Sequence, residues 1–355
     1  MRRMPPKRNS AVTVQPKKEN VLIVDGNALY KTAYHGAKDE FNSAGNHIGG
    51  IFQFLTMLRK FLNEGLYHKV YVFWDGELSG KLRHDFYSDY KKSRGKDYVN
   101  GTRPVDDKDQ ILERIIVQEY LEELFVRQLE HPIVESDDFI AYYVNKRKDV
   151  DNITIVTNDA DLTQLINDNV RVYLCNTAKK VYVDKSNFHM YFRHHQSNTV
   201  LMKTIAGDTS DDIMGVKGVK ETTLLNHFPE LMERKLTLGE IIEKGKRLQE
   251  DRLKEKKKPL KALTNIIEGI TDGVQGKKLY EINHNLVDLS KPLITQDAEK
   301  AIKELMDGSL DAEGRGIKNA MLLMKRDGID KLIDAHIDDY FMPFKKLIER
   351  ERKIV

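Results

Sequence analysis

Cysteine is all but missing from this chain of 355 residues: Cys175 stands alone. One copy cannot build a disulfide framework, so a reducing, cytoplasmic setting is expected. Cys175 closes the run VRVYL and reads as a strand-end residue rather than a nucleophile. Long apolar runs are missing too. Nothing approaches the roughly 18 residues needed to span a bilayer, so a soluble protein without a membrane partner is expected. There is no HExxH and no paired Cys/His spacing, which disfavours zinc. There is no GxxxxGK[ST] loop, which leaves ATP hydrolysis unsupported. No Ser/His/Asp or Cys/His arrangement suggests a protein nucleophile. Residues 1–18 carry six Lys/Arg and no Asp/Glu, with no apolar segment behind them to make a secretory signal. A transit peptide, a nucleic-acid-binding arm and a disordered basic tail over 1–19 all fit that composition.

What the chain does have is acid at the ends of strands. Apolar residues make up 40% of it, and a net charge of only +3 conceals a very uneven distribution. The runs at 21–24, 69–74 and 153–156 are apolar and rich in β-branched residues, as in strands buried on both faces. Asp25 and Asp75 close the first two, and Asp159 and Asp161 sit just past the third. A short run at 131–134 is followed by Glu135, Asp137 and Asp138. Ser136 and one Asp would satisfy a helix start, so three carboxylates within four residues exceed that need. Runs at 170–174 and 181–183 suggest a hairpin at the sheet edge. Residues 51–62 have helical spacing, and 111–129 reads as an amphipathic helix. Strand–helix alternation over 20–190, then helices, predicts an α/β fold: a mostly parallel central sheet flanked by helices, with a helical C-terminal region. Function in such sheets collects at the carboxyl ends of the strands. Seven carboxylates thus gather in one crevice: Asp25, Asp75, Glu135, Asp137, Asp138, Asp159 and Asp161. Asp208 and Asp211, three apart in GDTSDD, are candidates to join them.

A lone DxD reads first as a capping turn, with Asp161 capping the helix and Asp159 as solvated turn chemistry. Seven or more carboxylates do not: they cannot all ionise together without cations. Hard divalent ions with oxygen ligands answer that need, Mg²⁺ first and Mn²⁺ as its substitute. Two such ions suit in-line phosphoryl displacement. Two basic stretches would supply a polyanion partner. Residues 81–103 hold seven Lys/Arg, three Asp and three Tyr, and residues 243–262 hold nine Lys/Arg and four acids. Phosphate neutralisation with base stacking accounts for the first, as does a solvated surface segment. The second reads as a solvated helix or insertion near DNA, or as a plain charged surface helix. In GVKGV at 215–219, Gly215 and Gly218 would let backbone approach a phosphate oxygen, though such a pair also marks ordinary turns.

The pieces VLIVDGNAL, VFWDG, RHDFYSDYKKSRG, VESDDFIA, TNDADLTQL and GDTSDDIMGVKGV occur in one order, and later YEINHNLVDL. The chain resembles the 5′-nuclease superfamily over residues 20–290. That superfamily includes flap endonucleases, the 5′-nuclease domains of bacterial DNA polymerases and the ribonucleases H of T-even phage type. The resemblance implies a PIN-like catalytic domain over 20–205 with a basic helical arch at 81–103. It also implies a helical DNA-binding region over 206–355 with a degenerate helix-hairpin-helix. It implies metal-dependent 5′-to-3′ cleavage of RNA–DNA hybrids and of branched or 5′-flap DNA, removing RNA primers during replication. Asp25, Asp75, Asp137 and Asp159 would hold the first ion or its waters, supported by Glu135 and Asp138. Asp161, Asp208 and Asp211 would hold the second. Lys91 and Arg94 would act on the scissile phosphate, Arg83 would be a further phosphate contact, and Tyr90 would stack on a base. Gly215, Lys217, Gly218 and Lys220 would form the hairpin's nucleic-acid contact, with Lys220 where relatives carry a third Gly. The competing readings are a PIN-type endoribonuclease and a non-catalytic DNA-binding relative. A monomer is expected, in the host cytoplasm if the source is viral. The closing segment YFMPFKKLIERERKIV fits either an ordinary amphipathic helix or a docking point for a sliding clamp or single-strand-binding protein.

Overall fold

A computed structural model describes residues 18–95, 108–175, 180–272, 276–309, 314–333 and 336–352. The basic stretch up to residue 17, residues 96–103 of the 81–103 segment and residues 176–179 lie outside the described residues.

Six strands form one sheet: β1 (Asn20–Asp25), β2 (Lys69–Asp75), β3 (Arg127–His131), β4 (Asn152–Thr157), β5 (Val170–Leu174) and β6 (Val181–Val183). Their order is β3-β2-β1-β4-β5-β6. All neighbours are parallel except the expected edge hairpin β5–β6. The helices are α1 (Gly26–Gly36), α2 (Gly49–Glu64), α3 (Lys81–Phe86), α4 (Lys108–Glu123), α5 (Ser136–Arg147), α6 (Thr199–Ala206), α7 (Glu221–His227), α8 (Leu238–Lys254), α9 (Lys261–Glu268), α10 (Lys277–Val287), α11 (Gln296–Asp307), α12 (Ile317–Asp327) and α13 (Ile337–Arg352). Among the described residues no helix is long and apolar enough to cross a membrane.

The sheet is covered on both sides, which is why β1 and β4 carry unbroken apolar runs rather than an alternation. Leu22, Val24, Val72 and Trp74 face α1, α2, α4, α12 and α13. Val21, Ile23, Tyr71, Phe73, Ile153 and Ile155 face α5 and α11. A second core joins α6 through α10 around Phe228, Leu263 and Ile266.

Register decides what happens at the carboxyl edge. Asp25 lies opposite Phe73, and Val24 opposite Val156. Asp75 is therefore two residues beyond the level of Asp25 on one side, and Asp159 two beyond it on the other. Side chains two apart share a face. Asp25 and Asp75 therefore both emerge on the α5 side, where Asp137 begins its helix.

Three expectations are corrected. The helix expected over 111–129 ends at Glu123, because Phe125 turns the backbone to φ +60° and the chain re-enters the sheet as β3. The strand expected at 131–134 is really 127–131; Pro132 lacks the N–H to continue the ladder. The division at 205/206 does not follow the packing. Ile302 of α11 and Phe341, Phe344 and Leu347 of α13 lie fully buried in the cores of the sheet. Among the described residues, 199–272 and 276–287 form a separate helical module, and the aromatic part of the closing segment is core rather than an exposed docking motif.

Candidate active site

Asp25 ends β1 and caps α1: its Oδ1 accepts from the Ala28 amide at 3.1 Å and its Oδ2 from the Thr157 hydroxyl at 3.0 Å. The same hydroxyl accepts the Asp159 amide at 2.9 Å, so Thr157 ties the first carboxylate to the turn that carries the second. Asp75 ends β2 and accepts the Ser136 amide at 2.9 Å, which fixes the start of α5 and with it Asp137. Burial first, then the charges of Asp75 and Asp159, push the Asp25 carboxyl up to about 7. Burial, Asp159 and Asp25 hold Asp137 well above the usual carboxylate range. Asp25, Asp75, Asp137 and Asp159 thus form one mutually repelling group.

Asp159, not Asp161 as expected, caps the turn Ala160–Leu165, its Oδ1 accepting from the Asp161 amide at 2.7 Å. That turn is 3₁₀ rather than the α-helix its spacing suggested. Asp161 points to a different neighbourhood. It meets the ammonium of Lys203, which also bonds Asp208 at 2.5 Å. Burial and Asp159 push Asp161 up to about 7 despite that ammonium. Burial also opposes ionisation of Asp208, but Lys203 and Ser210 outweigh it and hold Asp208 below its usual range. Lys203 was missed in the sequence reading. Its signal was present: it is the single charge in the apolar run VLMKTIA of α6, five residues before Asp208.

The remaining acids are held by basic groups. Asp211 bonds Arg94 at 2.6 Å and lies 3.8 Å from the Lys91 ammonium. Lys91 donates to Glu135 at 2.5 Å, and burial notwithstanding, Lys91 and Arg83 bring Glu135 down to about 2. Asp212, left out of the expected set, accepts both the amide and the hydroxyl of Ser93, joining the foot of the basic segment to the helical module.

Three assignments change. Arg83, expected at a substrate phosphate, is only 5% exposed. Its guanidinium bonds Glu135, Asp138 and the Leu286 carbonyl. Asp138 is saturated by Arg83 and the Leu293 amide, so it braces the site rather than facing it. Tyr90, expected to stack on a base, is buried with its hydroxyl on Glu135. Removing Arg83 would leave the buried Asp138 without a positive partner and Glu135 with Lys91 alone. Arg83→Met should therefore cost about 3–5 kcal/mol of stability, read by denaturant melts. The salt dependence of DNA binding should not change.

At the hairpin, Gly215 serves close packing: a Cβ there would meet the Ala206 carbonyl oxygen at 2.0 Å. Gly218 has φ +73° and open space around it. Lys220 starts α7 in extended conformation, φ −117°, so its backbone needs no glycine. Lys217 is half exposed and paired with Asp272.

A family model for the 5′-3′ exonuclease, N-terminal resolvase-like domain, matches residues 20–193. The 5′-3′ exonuclease of Mycoplasmopsis pulmonis is 31% identical over 218 residues, 61% of this chain and 69% of that one. The chain belongs to the 5′-3′ exonuclease family. It is a 5′-3′ nuclease. The nuclease is also similar to the thermostable DNA polymerase I of Thermus thermophilus, 29% identical over 214 residues. That match covers 60% of the nuclease but only 24% of the polymerase. T5 5′-exonuclease with divalent metal ions (zinc) bound has the same fold: TM-score 0.60, 20% identity, 81% of the nuclease and 98% of the T5 chain covered. A bacteriophage T5 flap endonuclease complex with DNA and metal ions covers 92% of the nuclease and 99% of its own chain, with TM-score 0.56 and 17% identity.

Proposed function

We propose that the nuclease cleaves RNA–DNA hybrids and 5′-flap DNA with two divalent cations, Mg²⁺ or in its place Mn²⁺, and so removes RNA primers during replication. The observation that carries this reading is the repelling group of Asp25, Asp75, Asp137 and Asp159 at one sheet edge, short of positive charge. The donor set is all carboxylate, which suits a hard cation. Among the described residues no three His, Cys, Asp or Glu side chains stand close enough together to hold an ion between them. In the arrangement seen, Lys203, Lys91, Arg83 and Arg94 hold five of the acids instead. Asp25, Asp75, Asp137 and Asp159 would hold one ion, and Asp161, Asp208 and Asp211 the other. Bound there, the ions supply Lewis-acid charge to the phosphoryl oxygens and to the attacking water.

The chain's own residues do the rest. Lys91 adds positive charge where negative charge develops on phosphate oxygens. Arg94, half exposed at the rim, grips the strand. Thr157 and Ser136 hold Asp25 and Asp75 in register. The metal-bearing T5 relatives support this reading.

A 5′-labelled flap, an RNA–DNA hybrid and free single-stranded RNA, each with Mg²⁺ and with EDTA, test the proposal. Cation-dependent release of short products from the 5′ end of flap and hybrid is the expected result. Loss of all cleavage would leave a non-catalytic DNA-binding relative. Preference for single-stranded RNA would favour a PIN-type endoribonuclease.

A further inference from the structure

The basic stretch at 243–262 has no part in the site just described, yet the fold gives it a defined place. α7 leads away from the hairpin at 215–218, and α9 returns to it. The C-terminal end of α9 is tied to that hairpin: the Lys217 amide donates to the Ile270 carbonyl at 2.8 Å, the Thr271 hydroxyl to the Gly215 carbonyl at 2.8 Å, and the Asn265 side-chain amide to the Lys217 carbonyl at 2.8 Å. α9 has eight residues, so its other end lies about 12 Å away at ~1.5 Å per residue. There the chain turns from α8 into α9.

The turn is built, not loose. Arg252 donates twice to the Lys258 carbonyl, at 3.1 and 3.0 Å. Gln249 takes the Leu260 amide at 2.9 Å and donates to the Leu260 carbonyl at 2.9 Å. Lys256 is held at φ +56°, a conformation that costs a non-glycine residue roughly 1 kcal/mol. Residues 254–261 carry five lysines and one glutamate. Lys254 and Lys257 pair with Asp251 and Glu255. Among the described residues no acid lies within ion-pair reach of Lys256, Lys258 or Lys261, and all three are exposed. Holding like charges on a fixed turn is unfavourable unless a polyanion relieves the repulsion.

We propose that the α8–α9 turn is a second nucleic-acid contact, in which Lys256, Lys258 and Lys261 take the phosphates of a duplex arm about one helix length beyond the hairpin. The inference rests on the nuclease reading above and extends its footprint along the duplex. An acidic protein surface would meet the same lysines, but it would have no dependence on duplex length.

The test uses the full chain and substrates with a 5′ single-stranded overhang on a hairpin-capped duplex of 6 or 20 base pairs. Binding is read by anisotropy in EDTA across a salt series. The triple variant K256A/K258A/K261A should bind the long arm about tenfold more weakly at moderate salt. The slope of log affinity against log salt should fall by about 2–3, at ~0.9 per phosphate released. Affinity for the short arm should hold, and lysine-to-arginine replacements should restore the long-arm value. Equal losses on both arms, or no loss, would overturn the proposal. Cleavage of the same substrates by the wild type with Mg²⁺ reads the nuclease proposal separately. The three side chains are exposed, so an unchanged melting temperature is the folding control.

Discussion

Asp137→Asn should cut cleavage about a thousandfold and make the cation-free protein more stable. Among the described residues the Asp137 side chain accepts no hydrogen bond, so the amide takes nothing structural away. It removes one of four facing carboxylates, the one that burial, Asp159 and Asp25 hold well above the usual carboxylate range. Relief on the order of 1–2 kcal/mol follows, partly offset by a weaker favourable interaction with the start of α5. The melting temperature in EDTA at pH 8 should rise by roughly 2–4 °C. The pH profile carries the sign. Asp25 is raised from 3.8 to about 7, so the folded protein holds that proton to higher pH than the unfolded chain. Stability in EDTA therefore falls as pH climbs from about 4 through 7. In the variant the decline should be shallower. Cleavage with Mg²⁺ should drop about a thousandfold, the several kcal/mol that a cation-binding carboxylate supports. A variant less stable than wild type at pH 8, or one that cleaves at close to the wild-type rate, would show that the group is an ordinary capping cluster.

The sheet and its acid edge were legible because both are written locally. VLIVD, KVYVFWD and NITIVT are short apolar runs with an acid at or just past the end, and parallel pairing does the rest. Asp25, Asp75, Asp137 and Asp159 could be grouped without coordinates, since a parallel sheet brings the carboxyl ends of its strands to one edge. Edge strand β3 was not legible. RQLEH is polar and sits behind a helix whose apolar residues run on to Phe125, so periodicity extended the helix. The return of α11 and α13 to the sheet was equally hidden. An amphipathic pattern says that a helix buries one face, not which core receives it.

Within the site, residue type and motif order placed the acids but not their partners. Arg83 and Tyr90 lie in a basic, aromatic segment, where composition points to DNA. Only packing shows that α3, α5 and the end of α10 close over them. Lys203 escaped because a single lysine in an apolar helix looks like a snorkelling surface residue. Its two carboxylates come from separate segments, 42 residues before it and 5 after.

Lys91→Ala should lower the rate of cleavage by about a hundredfold to a thousandfold, while affinity for a flap substrate in EDTA changes by less than about fivefold. Lys91 faces inward. Its ammonium is 2.5 Å from Glu135, 3.8 Å from Asp211 and 4.9 Å from the Tyr90 ring centre, and its amide donates to the Asp211 carbonyl at 2.9 Å. A group so placed contributes little to the surface that grips a strand, but in the proposed reaction it would stand where charge builds on the reacting phosphate. The fold should survive, because Glu135 keeps Arg83 at 2.6 Å and the Tyr90 hydroxyl. Stability should fall by about 1 kcal/mol, and Lys91→Ala/Glu135→Gln should recover it without recovering the rate. Arg94→Ala is the contrasting variant. Arg94 is half exposed and holds Asp211 from the rim, so its loss should weaken binding and reduce the salt slope, with a smaller effect on the bound-state rate. Single-turnover rates and EDTA binding isotherms separate the two. Equal losses of rate and affinity in Lys91→Ala would make Lys91 an anchor for the strand and leave the charge at the reacting phosphate to Arg94.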